Sequence, residues 1–324
     1  MLTFDNARKI LDNELKDILY NQQPKELYEP IRYMLSLGGK RIRPALTLLS
    51  CNLFSDDIAP AIPPAIALEV FHNFTLIHDD IMDNANMRRG FETVHIKWNH
   101  NSAILSGDAM NIVAYDYILK CQPLHLIQVL EVFNIAALQV CEGQQLDMNF
   151  EKTKTVTEAQ YLEMISYKTS VLLASCLKIG AITGGANTID ANLLYNFGLN
   201  MGLAFQLQDD LLDVFGNEKE FGKEIGKDIV FNKKTYLLIK ALELSNDKQK
   251  EELEYWISLD KFEAKAKVEA ISKIYYLLHI KDLTENKIEF FFTEARKNLD
   301  LVNVEKSKKK ELQSFINSLV RRKN

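Results

Sequence analysis

After Gly226 the chain runs for 98 residues without a glycine or a proline. Lys, Glu, Leu, Ile and Ala dominate this stretch; they favour helix and offer almost nothing for tight turns. Long helices joined by short polar links are the expected outcome, and β-structure has no natural place there. Helical spacing of apolar residues also marks the rest of the chain: Leu46, Leu49 and Leu53 after Pro44, then Ala67, Val70, Phe71, Phe74 and Ile77, and later Tyr236, Ile239 and Leu242. Pro44 suits a first helical turn, where a missing N–H costs nothing. Turn signals fall at Gly38-Gly39, residues 60–64, Arg89-Gly90, Gly184-Gly185 and residues 216–226. Three glycines and many charges make 216–232 the expected long mobile loop. No repeat and no composition break divides the chain, so residues 1–324 are expected to form a single all-α domain, a bundle of long helices.

The 324 residues, 47% of them hydrophobic and 26% charged, suffice for a sizeable core. A net charge of -5 gives no electrostatic footprint for nucleic acid. Cys51, Cys121, Cys141 and Cys176 include no C-x-x-C pair and read as reduced core residues. The first 15 residues carry Asp5, Asp12 and Glu14, unlike the apolar core of a signal peptide. No uninterrupted apolar run reaches the roughly 18 residues of a membrane span. The best stretch, 58–70, is broken by Pro60, Pro63, Pro64 and Glu69. A cytoplasmic protein with no membrane span is expected.

The sharpest chemical signal is Asp79-Asp80-Ile81-Met82-Asp83, matched 130 residues later by Asp209-Asp210-Leu211-Leu212-Asp213. On a helix, positions i and i+4 project from one face, so each motif sets two carboxylates side by side, where they repel. A cation should neutralise them. Mg²⁺ suits such a site because it binds through one or two carboxylates while keeping water and phosphate oxygens in its octahedral shell. Two such aspartate walls facing one cavity would hold a diphosphate. Gly38-Gly39-Lys40-Arg41-Ile42-Arg43-Pro44 presents three cations just before a helix, an anion site suited to phosphate, and Arg88-Arg89-Gly90 supplies a second basic cluster. Two basic clusters and two acidic motifs suggest two phosphorylated ligands.

These residues resemble the trans-isoprenyl diphosphate synthases, the polyprenyl synthetases, over about residues 30–240. The two D-D-x-x-D motifs are similar to that family's first and second aspartate-rich motifs, and 38–44 to its G-G-K-R-x-R-P turn. Glu69-Val70-Phe71-His72, Gly143-Gln144, Lys168-Thr169, Phe205-Gln206 and residues 222–228 extend the likeness. It departs at Glu92 and Leu237, where the family commonly has proline. The resemblance implies the isoprenoid synthase fold, a helical bundle around a central cavity. It also implies Mg²⁺-dependent head-to-tail condensation of isopentenyl diphosphate with an allylic diphosphate, and a homodimer. It assigns Lys40, Arg43, His72 and Arg89 to isopentenyl diphosphate, and Arg88, Lys168 and Lys223 to the allylic diphosphate. Asp79 and Asp83 would hold two Mg²⁺ ions and Asp209 a third, assisted by Asp213. Thr169 and Gln206, with the Lys168 carbonyl, would face the ionising carbon. A terpene cyclase would not need the 38–44 turn, and a non-catalytic partner subunit would typically lose an aspartate motif.

Ala67, Phe71, Phe74 and His78 form one stripe on the helix that carries Asp79, about 110° around it. A growing chain running along this stripe meets Phe74 about 7.5 Å below Asp79 and Phe71 roughly one turn lower. In the family, an aromatic residue at the Phe74 position is associated with stopping growth, and a second one at the Thr75 position with a C15 product. Phe74 with the small Thr75 therefore implies the C20 product, geranylgeranyl diphosphate, with C15 farnesyl diphosphate as the alternative. As plain packing, Phe71 and Phe74 also read as ordinary core.

Overall fold

The computed structural model describes residues 2–16, 18, 22–216 and 226–320. These residues are all-α apart from one two-stranded hairpin. They fall into two compact units, each assembled from separate stretches of chain.

The first unit comprises Met1–Ile135, Ser175–Tyr195 and Val302–Leu312. It contains α1 (Phe4–Lys16), α2 (Lys25–Ser36), α3 (Ile42–Phe54) and α4 (Ile62–Met82). The hairpin strands β1 (Met87–Arg88) and β2 (Phe91–Glu92) follow, then α5 (Val94–Lys97), α6 (His100–Ile118) and the start of α7 (Pro123–Lys152). Ala7 and Leu11 of α1 close over Ala45, Leu48 and Cys51 of α3, all at 0% exposure. Helix α4 is buried along most of its length, including Ala67, Leu68, Val70 and Phe71, so the first aspartate motif sits at the end of a rigid core helix. The turn signal at Arg89-Gly90 is the hairpin loop, with Met87 opposite Glu92 and Arg88 opposite Phe91. Both loop residues take positive φ, 55° and 83°, as a tight hairpin with right-handed strand twist requires.

The second unit comprises Ala136–Ala174, Asn196–Leu301 and Gln313–Asn324. It holds α8 (Glu158–Ile165), parts of α9 (Val171–Thr183) and α10 (Thr188–Phe215), and then α11 (Lys227–Val230). Helices α12 (Tyr236–Leu244), α13 (Asp247–Ser258), α14 (Ala264–Leu277), α15 (Ile280–Leu301) and α16 (Lys310–Val320) occupy the glycine-free stretch. Polar caps make its turns. Asn246 and Gln249 form a reciprocal capping box ahead of α13, and Glu263 accepts from two backbone N–H groups opening α14. His279 takes the left-handed conformation between α14 and α15.

Three sequence expectations need amendment. Helix α11 lies within 216–232, the stretch expected to be a loop; the described residues there begin again at Gly226, and Lys223 lies outside them. Cys141 is exposed whereas the other three cysteines are buried, because it falls on the outer face of α7. By length and composition, two helical stretches, Pro123–Lys152 and Glu158–Thr183, could cross a membrane. Scattered single charges hide both from a search for uninterrupted runs. The second is mostly buried in the fold, and the first is mostly exposed.

Candidate active site

At the end of α4 the two kinds of aspartate separate. Successive residues are rotated about 100° around a helix, so Asp80 points well away from Asp79, while Asp83 falls between the two. Asp79 is half-buried and Asp83 exposed, whereas Asp80 is buried. Arg88 of β1 clasps Asp80, its Nε 2.9 Å from both carboxylate oxygens and its Nη2 2.8 Å from Oδ1. The hairpin is thereby tied to α4, and the guanidinium expected at the allylic diphosphate is held on the middle aspartate.

The basic turn is organised around Arg41, which sequence reasoning did not single out. Arg41 has a φ of 47° and is buried. Its Nη1 donates to Glu69 Oε1 at 2.6 Å, Nη2 to the Leu35 carbonyl at 2.7 Å and Nε to Asp12 Oδ1 at 3.3 Å. Asn73 donates to the same Glu69 oxygen at 3.1 Å. With Arg41 turned inward, Lys40 is exposed and Arg43 half-buried. Gly39 has a φ of 145°, and a Cβ there would come within 3.1 Å of the Arg89 guanidinium, whose Nη1 donates to the Gly38 carbonyl. Lys40, Arg43, His72 and Arg89 line one cavity of about 470 Å³ with Arg41 and Glu69. Burial, with the Arg43 and Arg89 cations nearby, pushes the His72 imidazole well below its usual range. Arginine can only donate, so neutral His72 accepts from Arg43 Nη1 through Nε2, at 3.0 Å. Arg43 Nε is buried with no hydrogen-bond partner. A cavity lined by several cations, with a buried unpartnered donor on one of them, has the chemistry to take a multiply charged anion.

The aromatic stripe is continuous. His78 meets Phe74 at 4.8 Å between ring centroids, Phe74 meets Phe71 at 5.4 Å and Phe71 meets Phe133 at 5.3 Å. Phe133 in turn meets Tyr115 at 5.2 Å. Phe71 is 1% exposed, Phe74 half-buried, and the Thr75 hydroxyl is turned back to the His72 carbonyl at 2.8 Å. Phe133 and Tyr115 lie on other helices, so no local spacing could have joined them to the stripe.

In the second unit a cavity of about 240 Å³ brings together Lys168, Thr169, Gln206, Asp209 and Asp213 with Asp147, Tyr161 and Asp228. A five-residue π-helical turn, Ser166–Ser170, interrupts the backbone at Lys168 and Thr169, a distortion common at functional sites. A Cβ at Gly143 would lie 2.3 Å from the Lys168 backbone nitrogen, so only glycine lets α7 approach this turn. Lys168 Nζ is 2.5 Å from Asp147 Oδ2 on α7. The Thr169 hydroxyl donates to Gln206 Oε1 at 3.0 Å, and Gln206 Nε2 donates to Asp210 Oδ1 at 2.9 Å. Asp210 is buried like Asp80 and takes a second hydrogen bond from the Tyr161 hydroxyl. Asp209 and Asp213 are half-buried.

Asp228 is held beside them by backbone contacts: its N–H donates to Asp213 Oδ2 at 2.9 Å. Lys267 of α14, at 0% exposure, donates to the Val230 carbonyl at 3.3 Å and to Asn232 Oδ1 at 2.7 Å, pinning the end of α11. Burial first raises both Asp210 and Asp228 above the usual carboxylate range; repulsion from Asp228 adds to it at Asp210, and repulsion from Asp213 and Asp147, opposed by Lys233, at Asp228. Among the described residues no three His, Cys, Asp or Glu groups converge tightly enough to hold an ion by protein ligands alone. Oxygen donors on an over-crowded acidic surface, without a complete cage, fit Mg²⁺, which retains water and phosphate oxygens.

Asp147, Tyr161 and Asp228 line this cavity, and the sequence reading left them unassigned. Asp147 carried a signal, four positions after Gly143 on one helix face. Tyr161 carried none, since the π-helical turn breaks the phase between it and Lys168. Of the two departures, Leu237 is fully buried at the second position of α12, and exposed Glu92 accepts the Tyr33 hydroxyl through its carbonyl at 2.8 Å.

Residues 24–275, which contain both aspartate motifs, match the sequence pattern of the family described as Polyprenyl synthetase. The chain belongs to the polyprenyl synthetase family. A geranylgeranyl diphosphate synthase of Methanosarcina mazei is 37% identical over 92% of this chain and 90% of its own length. A geranylfarnesyl diphosphate synthase of Natronomonas pharaonis is also 37% identical, over 72% of this chain and 74% of its own. A crystal structure of a geranylgeranyl pyrophosphate synthase superposes with a TM-score of 0.95, at 43% identity, covering both chains fully. This polyprenyl synthetase is accordingly a prenyltransferase with the family's all-α fold, and enzymes of the family are generally Mg²⁺-dependent.

The buried Arg41–Glu69 pair generates a prediction. Arg41→Met strands a buried carboxylate and should cost about 3–5 kcal/mol of stability. Lys40→Ala, at an exposed position, should leave the unfolding midpoint unchanged within error. Chemical denaturation of both variants checks this; equal midpoints would show that the pair does not hold the turn.

Proposed function

We propose that the protein condenses isopentenyl diphosphate with an allylic diphosphate, head to tail, to give the C20 product geranylgeranyl diphosphate. The observation that carries the reading is the second unit's cavity, which the hydrogen-bonded Thr169 and Gln206 line together with Asp209 and Asp213. In this reading Lys40, Arg43, His72 and Arg89 hold isopentenyl diphosphate, and Lys168, Arg88 and Lys223 serve the allylic diphosphate. Asp79 and Asp83 would bind two Mg²⁺ ions and Asp209 a third, with Asp213 assisting. Bound Mg²⁺ supplies neutralising charge to the diphosphate leaving group.

The chain's own groups then do the following. Lys168 and the basic side chains orient the allylic diphosphate so that its C–O bond can break. Thr169 and Gln206 place oxygens toward the delocalised allylic cation, and apolar walls exclude water. The double bond of isopentenyl diphosphate attacks C1, and the proton lost from the adduct passes to the released pyrophosphate. One C5 unit is added per cycle.

The two compact units act as a single catalytic domain in this reading, and the enzyme works as a cytoplasmic homodimer. Leu105, Ile112 and Leu119 recur every seven residues along α6 and its cap, and Leu124, Ile127 and Ile135 continue along α7, each more than half exposed. Exposed apolar side chains along both helices favour cover by a second copy.

Incubation with isopentenyl diphosphate and each allylic primer should yield prenyl diphosphates only with Mg²⁺. EDTA should abolish turnover, and Asp209→Ala should lower it by about three orders of magnitude with the helical circular dichroism intact. Undiminished turnover in EDTA or in that variant contradicts the proposal.

Product length supplies a second test. Wild type should stop at C20, Phe74→Ala should give longer products, and adding Phe71→Ala should lengthen them again. Chromatography of the dephosphorylated alcohols reads this out. Unchanged lengths with reduced stability would make both residues ordinary core, and wild-type products of C30 or more would refute the stop.

A further inference from the structure

We propose that Tyr161 is a positioning residue that, through Asp210, fixes which end of the Gln206 amide faces the reacting carbon. This rests on the prenyl-transfer reading above and adds a residue to it. The Tyr161 hydroxyl donates to Asp210 Oδ2, Gln206 Nε2 donates to Asp210 Oδ1 at 2.9 Å, and the Thr169 hydroxyl donates to Gln206 Oε1 at 3.0 Å. The four side chains form one hydrogen-bonded series lining the second unit's cavity.

The polarity of this series is dictated from its far end. The two ends of a glutamine amide have nearly the same shape and opposite polarity, so their partners decide which points where. Both Asp210 oxygens accept here, Oδ2 from Tyr161 and Oδ1 from Gln206, so Asp210 takes the amide NH₂ and turns Oε1 toward Thr169. Thr169 spends its only proton on that oxygen. What these two residues then present to the cavity is oxygen lone pairs, the groups that stabilise developing positive charge. A reversed amide would present N–H groups and oppose that charge.

Tyr161, 1% exposed, holds the second oxygen of Asp210 and so leaves only Oδ1 for Gln206. Without the hydroxyl, Asp210 can rotate and share both oxygens with Gln206, and the amide loses its fixed direction. This also gives the middle residue of the second motif a role separate from that of Asp209 and Asp213: it orients a neighbour.

The test is a double-mutant cycle with steady-state kinetics for both substrates. Tyr161→Phe in the wild-type background should lower kcat about tenfold with each KM within twofold. In a Gln206→Ala background, with no amide left to orient, the same substitution should change kcat less than twofold. Asp210→Asn, isosteric but able to present an NH₂ to Gln206, should show the same dependence on Gln206 and substitutes if Tyr161→Phe fails to fold. Equal losses in both backgrounds, a KM rise that matches the fall in kcat, or no change in kcat would overturn the assignment. A wild-type enzyme with no prenyl transfer would instead refute the reading on which it rests.

Discussion

Carboxylates crowded on a helix face repel one another, and the two aspartate motifs answer that repulsion in one of two ways. Asp80 and Asp210, rotated away from their neighbours, are buried against donors from the protein: Arg88 in one case, Tyr161 and Gln206 in the other. Asp79, Asp83, Asp209 and Asp213 remain nearer the surface of their helices. The motif D-D-x-x-D thus combines two jobs in five residues. Its outer members are the ones the proposed function gives to a hydrated cation, and its middle member fastens the surrounding structure.

The basic side follows the same division. In the 38–44 turn, Arg41 is buried on Glu69 and fixes the backbone, while Lys40, Arg43 and Arg89 gather at the cavity with a neutral His72. An arginine buried as an anchor and another lining the basic cavity stand two residues apart. Which is which depends on direction, and the left-handed φ of Arg41 sets that direction. Burial of a fully paired ion pair contributes little net stability but makes alternative turn geometries expensive, since each would leave a charge stranded.

Much of this was legible in the sequence because it depends on local spacing. The i, i+4 aspartates, the glycine pair before three cations, and the absence of Gly and Pro after Gly226 translate directly into helix faces, a turn and a helical C-terminal stretch. What spacing could not show involves partners distant along the chain. Arg41 and Arg43 look alike in the sequence, and only Glu69 and His72 tell them apart. Phe133 and Tyr115 join the aromatic stripe from other helices, and Tyr161 reaches Asp210 across 49 positions. The π-helical turn at Lys168 escaped notice because periodicity arguments assume an unbroken 3.6-residue repeat.

The central claim is that outer and middle aspartates of one motif serve different masters, and Asp79 and Asp80, adjacent in sequence, are the pair that separates them. The direct measurement is calorimetric titration of a non-ionising allylic diphosphate analogue, with and without Mg²⁺, alongside thermal unfolding. Asp79→Asn should lose the Mg²⁺-dependent part of binding at an unchanged unfolding midpoint. Asp80→Asn, weakening the clasp on Arg88, should lower that midpoint by several degrees, as expected for about 1–2 kcal/mol in a chain of this size. The reverse pattern, or the same loss of binding and stability in both variants, would contradict the account.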